Sequence, residues 1–175
     1  MQADSLSAEN PVLKLDLGLD GWQLVTDKVM GGVSTANALR TTHAGKHCLH
    51  LQGEVSTDNN GGFVQIAKDL PGELATKAGT CHGLRLQVYG NGERYNLHIR
   101  TRKLVLPWQS YRATFQADPQ WSTIDIPFQR FTAYKTPDAF DVHEIRRIGI
   151  VAIGRDFSAA VYIAAIGFYF QPLLR

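Results

Sequence analysis

Near its end, the chain reads IGIVAIGRDFSAAVYIAAIGFYF over residues 148–170. The stretch contains two nearly continuous apolar runs, at residues 148–153 and 161–170, separated by the turn-forming sequence Gly154-Arg155-Asp156. Apolar runs that are rich in β-branched and aromatic residues are typical of central strands covered on both faces. We therefore expect these two runs to form the middle of a β-sheet core.

A membrane-spanning helix is the alternative for this part of the chain. Residues 157–174 carry no charged side chain, and their length approaches that of a membrane span. The segment also contains Ser158, Gly167, Gln171 and Pro172, and it is dense in β-branched and aromatic residues, which favours a buried strand. We adopt the buried strand, in a protein that does not span a membrane.

Six further segments alternate apolar with polar side chains, as half-buried strands do. They begin at Leu13, Leu49, Leu84, Tyr95, Tyr111 and Ile124. No stretch keeps an apolar stripe of helical spacing for three turns, so we expect any helices to be short. Turn-forming sequences such as Asn59-Asn60-Gly61-Gly62 and Ala117-Asp118-Pro119 separate the strands, and this pattern predicts an all-β sandwich or barrel.

Length, charge and cysteine content narrow the class of protein. A chain of 175 residues that is 44% hydrophobic can bury one core without disulfides, and we expect a single domain over residues 12–175 after a disordered lead-in at residues 1–11. A formal net charge of +2 is too balanced for a dedicated nucleic-acid-binding protein. Cys48 and Cys81 form no C-x-x-C pair and the first residues do not resemble a secretory signal, so we expect free thiols and a cytoplasmic location.

The sequence contains none of the common catalytic or cofactor-binding motifs: no nucleophile elbow, phosphate-binding loop, dinucleotide fingerprint or H-E-x-x-H zinc motif. His47 and His50 lie three apart in a predicted strand and point to opposite faces, so they cannot share a metal ion without a bulge. We therefore expect a protein with no catalytic residues, no cofactor and no metal site. An enzyme of an uncharacterised kind is the third-ranked alternative.

Residues 22–34 form the most unusual stretch and read WQLVTDKVMGGVS. They resemble the D-x-V-M-G-G-x-S motif of the complex I intermediate-associated protein family. The resemblance continues in order through five further motifs: Asn59-Asn60-Gly61-Gly62-Phe63, Gly90-Asn91-Gly92-Glu93-Arg94-Tyr95, Ile99-Arg100-Thr101, Ser110-Tyr111-Arg112-Ala113-Thr114-Phe115 and Ile126-Pro127-Phe128-Gln129-Arg130-Phe131. Together these motifs cover nearly the whole chain, which makes the resemblance specific.

The resemblance implies a galactose-binding-domain-like jelly-roll β-sandwich without an established catalytic activity. Mitochondrial members of the family help to assemble respiratory NADH:ubiquinone oxidoreductase. A protein partner is therefore implied, with respiratory complex subunits as the first candidates, and a carbohydrate ligand is the alternative. The first residues do not resemble the Arg-rich leader of a transit peptide, and we therefore expect a compact, bacterial-type member.

The candidates for binding a partner or ligand lie in these motifs and in the loops beside them. They are Asp27, Lys28, Met30, Ser34, Asn59, Asn60, Arg94, Arg100, Trp108 and Tyr111. Some have a competing structural role, since Asp27 and Ser34 can bond backbone amides that a turn leaves free. Arg94 and Arg100 can pair with Asp27 or Glu54 inside the domain, or offer a fork to a partner's carboxylate.

The loops also contain a tryptophan and four glycines for which the sequence predicts a role. Trp108 is either a contact of a satellite core or a loop anchor for a partner. Four glycines, Gly31, Gly32, Gly61 and Gly62, are expected to be structural turn residues, and Gly32 is expected to be needed for its backbone angles.

Overall fold

The computed structural model describes residues 12–170, which form two antiparallel β-sheets packed face to face and one short α-helix. The strands are β1 (Val12–Lys14), β2 (Gln23–Thr26), β3 (Thr35–His43), β4 (Lys46–Val55), β5 (Phe63–Asp69), β6 (Gly83–Tyr89), β7 (Arg94–Thr101), β8 (Ser110–Gln116), β9 (Ser122–Pro127), β10 (Thr132–Tyr134), β11 (Ile145–Ile153) and β12 (Phe157–Tyr169). The helix α1 spans Gly72–Ala78, and 3₁₀ turns occur at Leu19–Gly21, Asp27–Met30, Asp58–Asn60, Phe128–Arg130 and Val142–Glu144.

Each sheet has six strands. Sheet A has the order β3-β4-β12-β6-β9, and β1 pairs with the last part of β12. Sheet B has the order β10-β8-β7-β11-β5-β2. All of these pairs are antiparallel. The all-β prediction is confirmed, and of the two architectures that the strand pattern allowed, the chain forms the sandwich.

The two apolar runs near the end of the chain form β11 and β12, and each takes an interior position in its sheet, as predicted. The inward side chains of β11, such as Ile148 and Ile150, are completely buried between the sheets. The outer face of β12 is covered by neighbours on the same sheet. There, His43 and His50 stack on the ring of Tyr162, with centroid distances of 3.8 and 3.9 Å. Two histidine rings therefore cover Tyr162, whereas the sequence pattern indicates only an apolar position there.

The first predicted strand is shorter than expected. The alternation of Leu13, Leu15 and Leu17 predicts a strand across all three residues, but β1 ends at Lys14. Asp16 accepts a hydrogen bond from the Gly18 amide at 2.8 Å, and this side-chain turn diverts the chain from the sheet. Leu15 remains in the core at 5% exposure.

The ends of the described chain lie side by side, because Val12 pairs with Tyr169 across β1 and β12. The predicted lead-in at residues 1–11 lies outside the described residues. The helices found between residues 12 and 170 are too short or too polar to cross a membrane.

Core packing between the sheets predicts a contrast between two leucines. Leu97 on β7 is fully buried, whereas Leu24 on the edge strand β2 is 42% exposed. We expect Leu97→Ala to lower the free energy of unfolding by about 2–5 kcal/mol, because it leaves a cavity in a close-packed core. Leu24→Ala should cost less than about 1 kcal/mol. Urea unfolding of both variants tests this, and equal losses would contradict the assignment of the core.

Candidate binding site

The carboxylate of Asp27 joins two loops of the sandwich. Asp27 starts the 3₁₀ turn between β2 and β3 and is fully buried. It accepts hydrogen bonds from the Ser34 amide at 3.0 Å and the Ser34 hydroxyl at 2.5 Å. It also accepts bonds from the amide of Gly62 at 2.6 Å, in the loop between β4 and β5, and from the amide of Phe63 at 3.3 Å, at the start of β5. The loops before β3 and β5 are thereby held to one another.

These hydrogen bonds decide the charge state of Asp27. Burial alone acts to raise the pKa of the carboxyl group, but the bonds from Ser34, Gly62 and Phe63 outweigh it and lower the pKa below its ordinary value. The group is therefore ionised at neutral pH, and a buried negative charge holds the loops by charge-assisted hydrogen bonds.

Small residues surround this carboxylate because nothing larger fits. A Cβ atom on Gly32 or Gly61 would overlap the Asp27 side chain. Gly32 has no left-handed backbone angle, so the expectation that it is needed for its angles is wrong and the cause is close approach. The positive φ of 88° belongs to its neighbour Gly31, where a Cβ would meet open space.

A groove of about 970 Å³ crosses the outer face of sheet B beside these loops. Its floor is formed by outward side chains of β5, β11, β7 and β8, among them Gln65, Val151, His98, Arg100 and Arg112. Gly149 keeps the middle of the floor low, because a Cβ there would lie 2.8 Å from Oε1 of Gln65. No side chain therefore fills the groove at this position.

The rim of the groove is apolar and exposed. At one end, the turn that Asp27 begins presents Val29 and Met30, which are 77% and 60% exposed. On the other side, Trp108 in the loop between β7 and β8 is 54% exposed. Val105 and Leu106 in the same loop are exposed as well. Apolar side chains gathered in this way are typical of an interaction surface.

The floor is polar and basic. Arg112 lies over the ring of Tyr134, with 3.5 Å between its guanidinium carbon and the ring centroid, and its Nε donates to the Ser110 hydroxyl at 2.8 Å. Arg100 donates from one terminal nitrogen to the carbonyls of Leu104 and Leu106, at 3.1 Å each. These contacts fix both guanidinium groups in position.

Burial lowers the pKa of three bases at this surface. For His98, burial and then the charge of Arg112 lower the pKa to about 3, so its ring is neutral at physiological pH. Burial lowers the pKa of Arg100 and Arg112 too, and for Arg100 the charges of Arg146 and Arg147 add to the effect. Both guanidinium groups nevertheless stay charged at neutral pH.

The structure separates the candidate residues into three sets. Those that line the groove are Met30, Asn60, Arg100 and Trp108, together with Gly61 and Gly62. Those that are exposed outside it are Lys28, Asn59 and Arg94. Those that are buried are Asp27, Ser34 and Tyr111.

The buried candidates cannot meet a ligand and are corrections to the sequence-based set. Asp27 and Ser34 are at zero exposure and bond each other, which is the turn role considered as their alternative. Tyr111 points into the core, and its hydroxyl donates to the carbonyl of Asp138 at 2.9 Å.

The internal ion pairs expected for the arginines are also wrong. Glu54 accepts hydrogen bonds from the Ser158 hydroxyl, at 2.7 and 2.8 Å, and Asp27 is occupied by Ser34 and the two amides. Arg100 instead bonds backbone carbonyls. Arg94 makes no ion pair within residues 12–170.

Several groove residues were missed from the sequence: Val29, His98, Arg112, Tyr134, Lys135 and Arg147. A signal existed for two of them, since His98 and Arg112 occupy polar positions of alternating strands, and such positions face outward. What the sequence could not show is that β7 and β8 are neighbours, with His98 opposite Arg112. The strand order brings these side chains to one surface.

The two antiparallel sheets pack as a jelly-roll β-sandwich, and comparison with solved structures confirms this fold. A family 11 carbohydrate-binding module from Clostridium thermocellum, in complex with a β-1,3-1,4-mixed-linked tetrasaccharide, matches with a TM-score of 0.73, 16% identity and coverage of 93% of this chain and 96% of that chain. A family 30 carbohydrate-binding module of a cellulosomal cellulase of the same organism matches with a TM-score of 0.54, 13% identity and coverage of 94% of each chain. At these identities the likeness shows the fold alone.

The family follows from the sequence. Residues 12–162 match the family model described as Complex I intermediate-associated protein 30, and the chain belongs to that family. This confirms the resemblance seen in the motifs. A comparison with curated protein sequences gives no match.

The ionised state of Asp27 predicts a dependence of stability on pH. Because its pKa is lower in the folded protein than the value of about 3.9 in an unfolded chain, its contribution is complete above about pH 4 and is lost as the pH falls through the folded-state pKa. We expect Asp27→Asn to lower the free energy of unfolding by about 3 kcal/mol near neutral pH, and the difference from the original protein to shrink in acid. Urea unfolding near pH 7 and near pH 3 measures both effects. Asp58→Asn, at an exposed acid in the next loop, is the control, and a difference for Asp27→Asn that does not change with pH would contradict this account.

The neighbouring glycines provide a second test of the same contact. Gly32→Ala should cost about 3 kcal/mol, since it overpacks a buried site and pushes Asp27 from its donors. Gly31→Ala should cost about 1 kcal/mol, because it meets only the backbone strain of a positive φ. Thermal or urea unfolding ranks the two variants, and a larger loss at Gly31 would show that backbone angles matter more than space.

Proposed function

We propose that this protein is a non-catalytic protein-interaction module of the assembly-factor type, which holds a protein partner in the groove of sheet B. Membership of a family described by its association with a complex I intermediate supports this role. Subunits of respiratory complex I are therefore the first candidate partners. The free thiols of Cys48 and Cys81 support a reducing compartment such as the cytoplasm.

The observation that carries the proposal is the exposed apolar rim. Val29, Met30 and Trp108 are 77%, 60% and 54% exposed, and they line the groove from two separate loops. Keeping such side chains in water is unfavourable, by about 25 cal/mol for each Å² of apolar surface. A protein partner would cover them, and aromatic residues and methionine are enriched in such interfaces.

A carbohydrate ligand is the second candidate, and two aromatic rings support it. Trp108 and Tyr134 both line the groove, and aromatic faces can stack on sugar rings. The solved structures with this fold include carbohydrate-binding modules. However, the guanidinium group of Arg112 already covers one face of Tyr134, and the aliphatic side chains of Val29 and Met30 offer no hydrogen bonds to sugar hydroxyl groups. We therefore rank the protein partner first.

Capture experiments with rim variants test the proposal. The tagged protein is purified from its native cells after mild crosslinking, the captured proteins are identified, and the main partner is then titrated in purified form. We expect Trp108→Ala and Met30→Ala to weaken this partner's binding by roughly tenfold or more, because anchors at an interface carry much of the affinity. Their melting temperatures should stay close to that of the original protein.

Leu39→Ala is the matched control, because Leu39 is 37% exposed on sheet A, away from the groove. If all three variants bind the partner equally well, the groove is not the interaction surface. If no protein is captured and a glycan array shows binding that Trp108→Ala removes, the carbohydrate role replaces the proposed one.

A further inference from the structure

The charge on the groove is one-sided. Four cationic side chains line it, Arg100, Arg112, Lys135 and Arg147, and no Asp or Glu lines it among the described residues. The nearest balancing acid is Asp69, whose carboxylate pairs with Arg147 Nε at 2.8 Å. His98 adds no positive charge, because its ring is neutral. A groove of this kind concentrates a positive potential over its floor.

The arrangement of the arginines is unfavourable without a ligand. Arg100 and Arg147 are register partners on β7 and β11, and like charges directly opposite each other on neighbouring strands are destabilising. Arg100 Nε is buried and has no hydrogen-bond partner within the described chain. An unsatisfied donor of this type costs about 1–3 kcal/mol. An anion above the floor would relieve the repulsion between the two guanidinium groups.

Arg112 is positioned to bind a planar anion. Its Nε is used by Ser110, and its plane is held against Tyr134, which leaves the two terminal nitrogens for a group outside the sheet. A fixed guanidinium fork matches the two oxygens of a carboxylate, and little side-chain entropy is lost when the pair forms.

The rim indicates what kind of molecule carries the carboxylate. A free small anion or an acidic polysaccharide would bind the basic floor but leave Val29 and Met30 in water. A polypeptide can place acidic side chains on the floor and apolar side chains against the rim at the same time. The combination of a basic floor with an apolar rim therefore favours a protein segment.

We propose that the groove of sheet B binds an acidic segment of the partner protein, with Asp or Glu carboxylates on the guanidinium groups of Arg112 and Arg100 and apolar neighbours of those residues against the rim. This inference rests on the proposed protein-binding function and names the chemistry of its partner. The partner segment need not be helical or extended, because the recognition is carried by side chains.

Two fluorescein-labelled decapeptides test the inference with the full chain. One alternates Glu with Leu, and the other alternates Gln with Leu. By fluorescence anisotropy at about 0.15 M salt, we expect the Glu peptide to bind roughly tenfold or more tightly than the Gln peptide, since only the former can form charge-assisted pairs. Raising the salt concentration should weaken binding of the Glu peptide but not binding of the Gln peptide.

Charge-matched variants locate the contact. Arg112→Gln and Lys135→Gln should each weaken binding of the Glu peptide. For Arg112→Gln, we expect the affinity to fall roughly tenfold. Arg94→Gln removes the same charge from an exposed position on β7 outside the groove and should change binding less than about twofold. Melting temperatures show whether each variant is folded. If Arg112→Gln is not folded, Lys135→Gln provides the test.

The opposite results would overturn the inference. They are equal binding of the two peptides, absence of binding by either, or equal losses from Arg94→Gln and Arg112→Gln. Binding of tetragalacturonate with loss in Arg112→Gln, without binding of the Glu peptide, would make an acidic carbohydrate the ligand. If Trp108→Ala weakens the captured partner while Arg112→Gln and Lys135→Gln do not, the proposed function stands and only the acidic segment is wrong.

Discussion

The buried carboxylate of Asp27 organises the end of the sandwich where the groove begins. Its oxygens accept bonds from Ser34 and from the amides of Gly62 and Phe63, and a buried charge is tolerated only when it is satisfied in this way. The neighbouring glycines must stay small for the carboxylate to fit. The turn that begins at Asp27 places Val29 at the rim. The family motif therefore influences the groove by determining the conformation of this loop.

The groove has two kinds of surface, one apolar and one basic. Its rim comes from loops and is apolar, whereas its floor comes from sheet B and is basic. Rigid strands hold Arg100 and Arg112, and short contacts to Leu104, Leu106 and Tyr134 fix them further. Such a surface suits recognition, because the charged groups are fixed before the partner arrives and lose little freedom on binding.

Much of the fold follows from sequence periodicity, and the site follows only in part. Alternation in β7 and β8 and the apolar runs of β11 and β12 predict those strands, because side chains alternate across a sheet. The alternation does not predict β3, β5 or β10. β3 and β10 are edge strands with few buried side chains, whereas β5 lies inside sheet B. Trp108 was identified from its loop, but Arg112 was not, because its role depends on which strand lies beside β7. For a related reason, the sequence leaves Asp27 open between a binding role and a turn role, since its donors Gly62 and Phe63 lie 35 and 36 residues away.

Hydrogen–deuterium exchange on the free protein and on its complex with the captured partner measures directly whether the groove is the binding surface. The account predicts slower exchange in the complex for the turn at Asp27–Met30, for the loop at residues 102–109 and for β10. It predicts no change in β3 and β4, whose outer faces belong to sheet A. Protection confined to β3 and β4, with the turn and the loop unchanged, would contradict it.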